Sequence, residues 1–429
     1  MNNQKVELLS PAGNLEKLKI AIKYGADAVY AGVSHFSLRI RAGKEFTFET
    51  FKEGIDYAHT RGKKVYATIN GFPFNSQIDL LKKHIATMAA LKPDGFIVAA
   101  PGVVRLCREI APEIDIHLST QANVLNYLDA QVYWDMGVKR IVVAREISLK
   151  DVIEIKKHLP DMEIEIFVHG SMCFAYSGRC LVSAVQMGRV PNRGSCANDC
   201  RFQYTLYAAN EDHNTLFRLE EEPGVGTYIF NSKDMNLASH IKEILDSGAV
   251  DSLKIEGRTK SPYYAAVTAK AYREAIDDYY EGKFEPEKYQ KELYTTKNRG
   301  FTDAYLIHRP FEKTDSQNHD YALSKGSYEV TGLVTEDEEH FLCKYKVYPN
   351  EDIEIFTPMG EELVECENEI GKIFKKDGMY YINFKKILTE TNKELESVHS
   401  GNVNKIKLPG KLPYLTMFRI ENVEDNIVE

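Results

Sequence analysis

The first 170 residues alternate between short apolar runs and longer stretches with a helical repeat. Val6–Leu9 precedes a helical pattern over Leu15–Tyr24, with Gly25 placed to stop it. The runs Ala28–Tyr30, Val65–Ile69, Gly95–Ala99, Ile116–Ser119, Arg140–Val143 and Ile164–Val168 follow. Helical patterns over Phe48–Thr60, Ile78–Leu91, Val103–Ile110, Leu128–Met136 and Leu149–His158 separate them. The apolar runs are rich in Val and Ile and nearly unbroken, as in strands buried on both faces. An eighth unit, Ser252–Ile255 followed by Tyr263–Tyr280, comes later. Eight such units predict an α/β fold of the (β/α)8, TIM-like type, with a doubly wound open sheet as the rival.

The pattern breaks between about residues 170 and 247. This insertion carries a group of cysteines, followed by alternating runs at Tyr204–Ala208 and Tyr228–Phe230. Gly282–Pro310 reads as a linker. From Lys325 onward the helical repeat fades and short alternating segments recur at Tyr328–Val334, Phe341–Val347, Ile353–Phe356, Gly371–Phe374, Tyr380–Phe384 and Lys405–Leu408. Close spacing of short strands predicts a small antiparallel β-barrel. The expected division is a barrel over 1–310, with its insertion near 170–247 and linker over 282–310, and a C-terminal β domain over 325–429.

Composition narrows the function classes. With 43% hydrophobic and 27% charged residues, wholesale disorder and collagen-like structure are excluded. No run approaches the ~20 apolar residues of a membrane helix, and Met1–Ser10 lacks a basic region followed by an apolar one. A cytoplasmic protein with no membrane partner is the expectation. A net charge of −9 argues against a globally basic nucleic-acid binder. Between Cys173 and Arg201, however, four arginines face one acid, Asp199. Seven cysteines are too few for a disulfide scaffold, and clustered thiols in a reducing compartment point to metal or redox chemistry.

Four of the seven, Cys173, Cys180, Cys196 and Cys200, form C-x6-C-x15-C-x3-C. Thiolates are soft ligands that suit a four-iron cluster or a tetrahedral zinc. The spacing lacks the close pairs of a zinc ribbon; cluster, zinc and metal-free thiols all stay open on spacing alone. Gly170, Gly178, Gly188 and Gly194 would let the backbone turn tightly around a compact site.

Barrel active sites lie at the C-terminal ends of the strands. His169 ends one run and reads either as a site histidine or as a partner of a neighbouring loop. Glu7, Asn70, Gln121, Arg145, Lys254 and Glu256 are further polar strand-end residues, forming a pocket for a polar ligand or a set of surface ion pairs. Arg258 and Lys260 would hold a phosphate or carboxylate, or brace the strand–loop junction. The candidate catalytic set is thus His169, Arg145, Lys254, Glu256 and Arg258. The aromatics Phe174, Tyr176, Phe202 and Tyr204 interleave with arginines, the chemistry of unstacked bases, though packing of the insertion would also use them. Candidate RNA contacts are Tyr176, Arg179, Arg189, Arg193 and Arg201. No HExxH, GxSxG, P-loop or GxGxxG pattern occurs.

The segment His169-Gly-Ser-Met-Cys-Phe-Ala-Tyr-Ser-Gly-Arg-Cys-Leu-Val-Ser183 resembles the collagenase-like, unassigned-type peptidase family 32. So do Arg193-Gly-Ser-Cys-Ala-Asn-Asp-Cys-Arg201, Asn231-Ser-Lys-Asp-Met235, Leu253-Lys-Ile-Glu-Gly-Arg-Thr-Lys-Ser261, Asn298-Arg-Gly-Phe-Thr302 and Glu7-Leu-Leu-Ser-Pro-Ala-Gly-Asn14. The chain departs from the family pattern at Val190-Pro191 and Phe202-Gln203. The resemblance implies an oxygen-independent hydroxylase with a 4Fe-4S cluster on Cys173, Cys180, Cys196 and Cys200. Long members, with a C-terminal β domain, are implied to make 5-hydroxyuridine at the tRNA wobble position, with prephenate as hydroxyl donor. Sister branches act on a ribosomal RNA cytidine or on ubiquinone precursors. tRNA is the expected partner, with a shorter paralogue of the family as a further one. Lys344, Lys346, Lys375 and Lys376 of the β domain would meet RNA. The competing readings are a peptidase, as the family name says, and a non-catalytic protein whose metal staples the insertion.

Overall fold

The computed structural model describes residues 5–33, 36–38, 46–202, 204–210, 215–219, 231–303, 305–309, 316–318 and 326–422. The expected run Tyr228–Phe230, together with Gln203 and Lys325, lies outside them.

The alternation resolves into β1 (Glu7–Pro11), α1 (Leu15–Lys23), β2 (Ala28–Ala31), α2 (Phe48–His59), β3 (Lys64–Ile69), α3 (Ile78–Ala90), β4 (Gly95–Val98), α4 (Pro101–Ile110), β5 (Asp115–Leu118), α5 (Tyr127–Asp135), β6 (Arg140–Val142) and α6 (Leu149–His158). β7 (Glu163–Ser171) follows. Side-chain caps start several helices. Asn14, Asn126, Ser148 and Ser261 each accept a backbone N–H from the first helical turn. The insertion supplies α7 (Val182–Met187), the hairpin β8 (Leu206–Asn210) and β9 (Thr215–Leu219), and β10 (Asp234–Asn236). The barrel resumes with α8 (Ile241–Asp246), β11 (Ser252–Ile255) and α9 (Pro262–Tyr280).

The eight staves, β1–β7 and β11, pair in parallel, and β11 pairs with both β1 and β7, which closes the ring. The staves are buried almost throughout, and the apolar core runs between them and the surrounding helices. The lower interior is polar. Arg140 Nη1 lies 2.5 Å from Glu7 and 3.2 Å from Glu165, and Lys254 Nζ donates to Glu165 at 2.6 Å. Tyr66 OH donates to the other oxygen of Glu7 at 2.6 Å. Glu7, expected at a strand's end, therefore begins β1 and sits on this floor, away from the mouth.

β7 carries a bulge. Lys254 faces Phe167, but the next residue, Ile255, faces His169, so Val168 is the extra residue. The bulge reverses the alternation of side chains, and His169 turns outward against α9. It is buried there, with Nδ1 3.4 Å from Tyr272 OH and its ring near Tyr264 and Phe301. Burial pushes its imidazole down to about 3. Burial also pushes His117, inside the barrel, well below the usual range, with Arg140 and Lys254 adding to the effect. An unfolded chain protonates these rings below the ordinary value of 6.5, while the folded chain does not. Stability is therefore full above about pH 6.5 and falls as the pH drops toward 3. The expected slope is about 1.4 kcal/mol per pH unit for each ring. Denaturant unfolding at pH 7, 6 and 5 should show His169→Phe losing less stability over this window than the native chain; equal losses would contradict this account.

Gly282–Pro310, expected as a linker, holds α10 (Pro286–Tyr294) and β12 (Phe301–Thr302). α10 packs on α9 through the buried Tyr289 and Leu293, and β12 pairs with β10. Its many polar residues hid the two apolar anchors.

The C-terminal region is an eight-stranded antiparallel sheet in the order Cys366–Glu367, Gly371–Lys376, Met379–Phe384, Asp352–Phe356, Met417–Glu421, Tyr328–Val334, His340–Cys343, Ile406–Lys407. It curls until its edges meet, and Asn368 Nδ2 donates to Pro409 O across the join at 2.7 Å. The sheet docks on α1, α9 and α10. Ile20, Tyr24, Tyr263 and Ala266 share a core with Leu333, Phe356, Leu415 and Met417. Tyr24 OH lies 2.9 Å from both Phe356 O and Leu415 O. Arg419, buried at the seam, bonds Glu354, Glu292 and Tyr263. Lys375 and Lys376 are exposed on the sheet, and Lys344 and Lys346 are exposed beside it. No helix among the described residues is long and apolar enough to cross a membrane.

Candidate active site

The C-terminal ends of the staves and the cysteine-bearing insertion enclose one cavity of about 1020 Å³, counting its open mouth. Tyr30 on β2, Phe167 on β7 and Lys254 on β11 line its lower wall. Asn70, Thr120, Gln121, Arg145, Glu256 and Arg258 come from the loops that leave the strands. The roof comes from the insertion, which contributes Cys173, Cys180, Cys196 and Cys200 with Ser183 and Asp199.

The roof is built from short turns. Gly170, Gly178, Gly188 and Gly194 all hold positive φ, as do Ser177 and Asn198. A Cβ on Gly170 would lie 2.4 Å from Glu256 O, so this position tolerates no side chain. Polar contacts tie the roof to the barrel. Arg179 Nε donates to Gln121 O at 2.9 Å, Arg193 Nη2 donates to Gln77 at 3.0 Å, and Ser177 N donates to Glu146 at 2.7 Å. Two of the arginines expected to touch RNA, Arg179 and Arg193, are thus braces. Arg189 donates to Ser195 O, and Tyr176 is exposed.

Cys200 feels the charge of the other three thiols, and Cys173 that of Cys180 and Cys196. Burial pushes the Cys173 and Cys200 thiols up, whereas Arg145 beside Cys173 and Arg201 beside Cys200 pull toward the thiolate. Backbone N–H groups aim at the sulfurs: Val182 N at Cys180 and Asn198 N at Cys196, both at 3.4 Å. Such donors stabilise the sulfur ligands of a metal group. Among the described residues, no three Cys, His, Asp or Glu side chains close on one point as a single ion requires. Four thiols lining one cavity are the donor set that a four-iron cluster or a tetrahedral zinc takes. Cys107 is buried in α4, and Cys343 and Cys366 belong to the C-terminal sheet, so all three lie apart from this quartet.

Below the thiols, the charged groups are held in pairs. Arg145 Nη2 reaches Glu256 at 3.2 Å and stacks over Phe167, 4.1 Å from its centroid. Lys254 sits 4.5 Å above the Tyr30 ring while bonded to Glu165. Arg258 crosses the mouth, donating to Ser37 Oγ at 2.7 Å, to Thr68 Oγ1 at 3.1 Å and to Leu38 O. The cavity therefore offers fixed cations, a carboxylate, hydroxyls and an aromatic wall, which can hold a flat polar ring and an anionic co-substrate. Four of the five expected site residues line it, namely Arg145, Lys254, Glu256 and Arg258. His169 does not, because the bulge turns it away. Sequence reading missed Ser183 and Asp199. Asp199 is buried, takes a hydrogen bond from Ser183, and its Oδ1 has no protein partner. Their places inside the cysteine quartet were the only signal available.

Comparison with known proteins follows the same lines. The Peptidase family U32 profile matches residues 13–316. A "tRNA hydroxylation protein P" of Helicobacter pylori is 64% identical, covering 97% of this chain and 99% of its own length. Its namesake in Escherichia coli is 39% identical over 86% of this chain and 90% of its own length. A "Collagenase" of Porphyromonas gingivalis is 28% identical over 87% of this chain and 85% of its own length. By the extent of the profile match and these identities, the chain belongs to peptidase family U32.

Proposed function

We propose that the chain hydroxylates tRNA, converting the wobble uridine to 5-hydroxyuridine without molecular oxygen. The observation that carries this reading is the single cavity shared by four thiols and the charged barrel mouth, in a chain 64% identical to a tRNA hydroxylation protein. Cys173, Cys180, Cys196 and Cys200 would hold a 4Fe-4S cluster. When bound, such a cluster supplies electron transfer or Lewis acidity.

The chain's own residues do the rest. Phe167 and Tyr30 offer flat faces for a base, and the anticodon base is already unstacked enough to enter. Lys254 and Arg145 present cations to a dicarboxylate donor such as prephenate. Oxygen passes from the donor's C–O bond to C5 of the base, and the displaced hydrogen ends on the reduced donor. The base is oxidised by two electrons and the donor is reduced by two. The roof keeps bulk water from the reacting atoms.

A peptidase needs a nucleophile with a base, or a metal-bound water. No histidine lines the cavity among the described residues.

Nucleoside mass spectrometry of tRNA from cells lacking the gene tests the reading. 5-Hydroxyuridine and its derivatives should disappear and return with the intact gene. Unchanged levels, with no paralogue present, would defeat it.

A further inference from the structure

On the outer side of the roof lies a second hollow, of about 990 Å³ including open solvent. Arg189, Arg201, Arg258 and Lys260 line it, and Glu256 is the one acid among its lining residues. Glu256 already accepts from Arg145 in the first cavity. The local charge is thus about +3 in a chain of net charge −9. Lys260 is the least comfortable cation. Among the described residues its Nζ makes one long hydrogen bond, 3.4 Å to Lys297 O, and lies 5.4 Å from the Tyr264 ring centroid, and burial lowers its affinity for a proton. Asp234 opposes that effect, while Arg299 and Arg201 crowd it with like charge. A built-in excess of positive charge in a partly desolvated hollow is relieved by an anion. Arg189, Arg201 and Lys260 are half-buried and line the hollow.

The two hollows share a wall made of Gly194, Cys196, Glu256 and Arg258. A base swung into the first cavity leaves its flanking phosphates at the rim. We propose that the second hollow holds a phosphodiester of the RNA backbone next to the nucleotide whose base enters the cavity. This rests on the tRNA reading above. Arginine forks match phosphate oxygens, and Lys260 adds a point charge. The exposed ring of Phe202, next to Arg201, is placed to meet the adjoining base. Such contacts fix position and carry no sequence information.

The test uses the full-length, cluster-loaded protein and an unmodified anticodon stem–loop RNA. Binding is followed by fluorescence anisotropy between about 50 and 200 mM salt. The variant Arg201→Gln/Lys260→Gln should bind about tenfold more weakly for each lost cation. The slope of log affinity against log salt should shrink by about 0.7, because one phosphate is no longer neutralised. The loss should be equal for loops with uridine or cytidine at the target position. Iron content should match the native protein. If iron falls, Lys260→Gln alone is read, because Lys260 lies outside the cysteine loop. Unchanged affinity and slope, with iron retained, overturn the proposal while the tRNA reading stands. A thermal shift with inorganic phosphate that the variant loses, alongside an unchanged RNA slope, assigns the hollow to a small anion and also overturns it. A native protein that fails to bind the stem–loop defeats the tRNA reading itself, and this inference with it.

Discussion

Replacing Cys196 with alanine should strip most of the iron from anaerobically purified protein and abolish tRNA hydroxylation. Cys173→Ala, Cys180→Ala and Cys200→Ala should do the same, because a four-iron cluster needs all four corners held. Asn198 N now aims at a sulfur that would be gone, and the turn around Asn198 would lose its anchor. Cys107→Ala, Cys343→Ala and Cys366→Ala should keep iron, since these thiols lie in a helix and a sheet apart from the cavity. Iron analysis and the ultraviolet-visible spectrum separate the two sets. Full iron retention in Cys196→Ala would remove the quartet from consideration. Zinc in place of iron in the native protein would turn the roof into a structural staple.

The second large effect is expected at Arg419→Ala. The arginine is 2% exposed and neutralises Glu354, itself 7% exposed, together with Glu292. Removing it leaves a buried carboxylate unpaired, a loss of about 3–5 kcal/mol. Tyr263 OH loses the N–H it accepts and keeps only its donation to Thr295, and Tyr263 belongs to the core shared by barrel and sheet. The melting temperature of the whole chain should fall, and proteolysis should begin at the seam. Arg419→Met combined with Glu354→Leu should recover much of the loss, because an apolar pair of similar volume has no charge to desolvate. A melting temperature unchanged in Arg419→Ala would mean that the seam is not cooperative with the barrel. Removing the sheet altogether would uncover Ile20, Tyr24 and Ala266, so a truncated chain would report on stability before it reported on RNA affinity.

The barrel was legible because each stave is a nearly unbroken apolar run between capped amphipathic helices. The expected strands and helices of the first 170 residues each match an observed element to within about two residues, apart from β7, which runs three residues past its expected end. What escaped reading was what pairing decides. The bulge at Val168 depends on register against Ile255, which lies far away in sequence, so nothing near His169 announced that it would face outward. Glu7 is polar and strand-borne, yet whether it stands at floor or mouth depends on which end of β1 it occupies. The strand Met417–Glu421, central in the C-terminal sheet, was not anticipated. Its Arg419 looks like a surface charge and is buried only because Glu292 and Glu354 meet it from two other elements. That four cysteines would gather at one place was legible from their close spacing, and all four line one cavity. The bracing of Arg179 and Arg193 was not, because their partners, Gln121 O and Gln77, lie more than fifty residues away.

The insertion between β7 and β11 also sets a schedule for synthesis. β7 ends at Ser171 and β11 begins at Ser252, and the last stave must pair with β1 as well, where Glu7 meets Ser252. At ribosomal speeds of ~5–20 residues per second, this gap lasts roughly 4–16 s. During that time seven staves have left the ribosome but cannot form a ring. Both outer strands, β1 and β7, lack the neighbour that β11 will give them, and open edges of that kind invite pairing with other chains. All four cysteines emerge inside the same interval, before the wall beneath them exists. If the quartet takes the proposed cluster, its loading would compete in time with ring closure. A cell that slows translation past residue 200, or supplies a chaperone that covers the open edges, should recover more cluster-loaded protein from the same message.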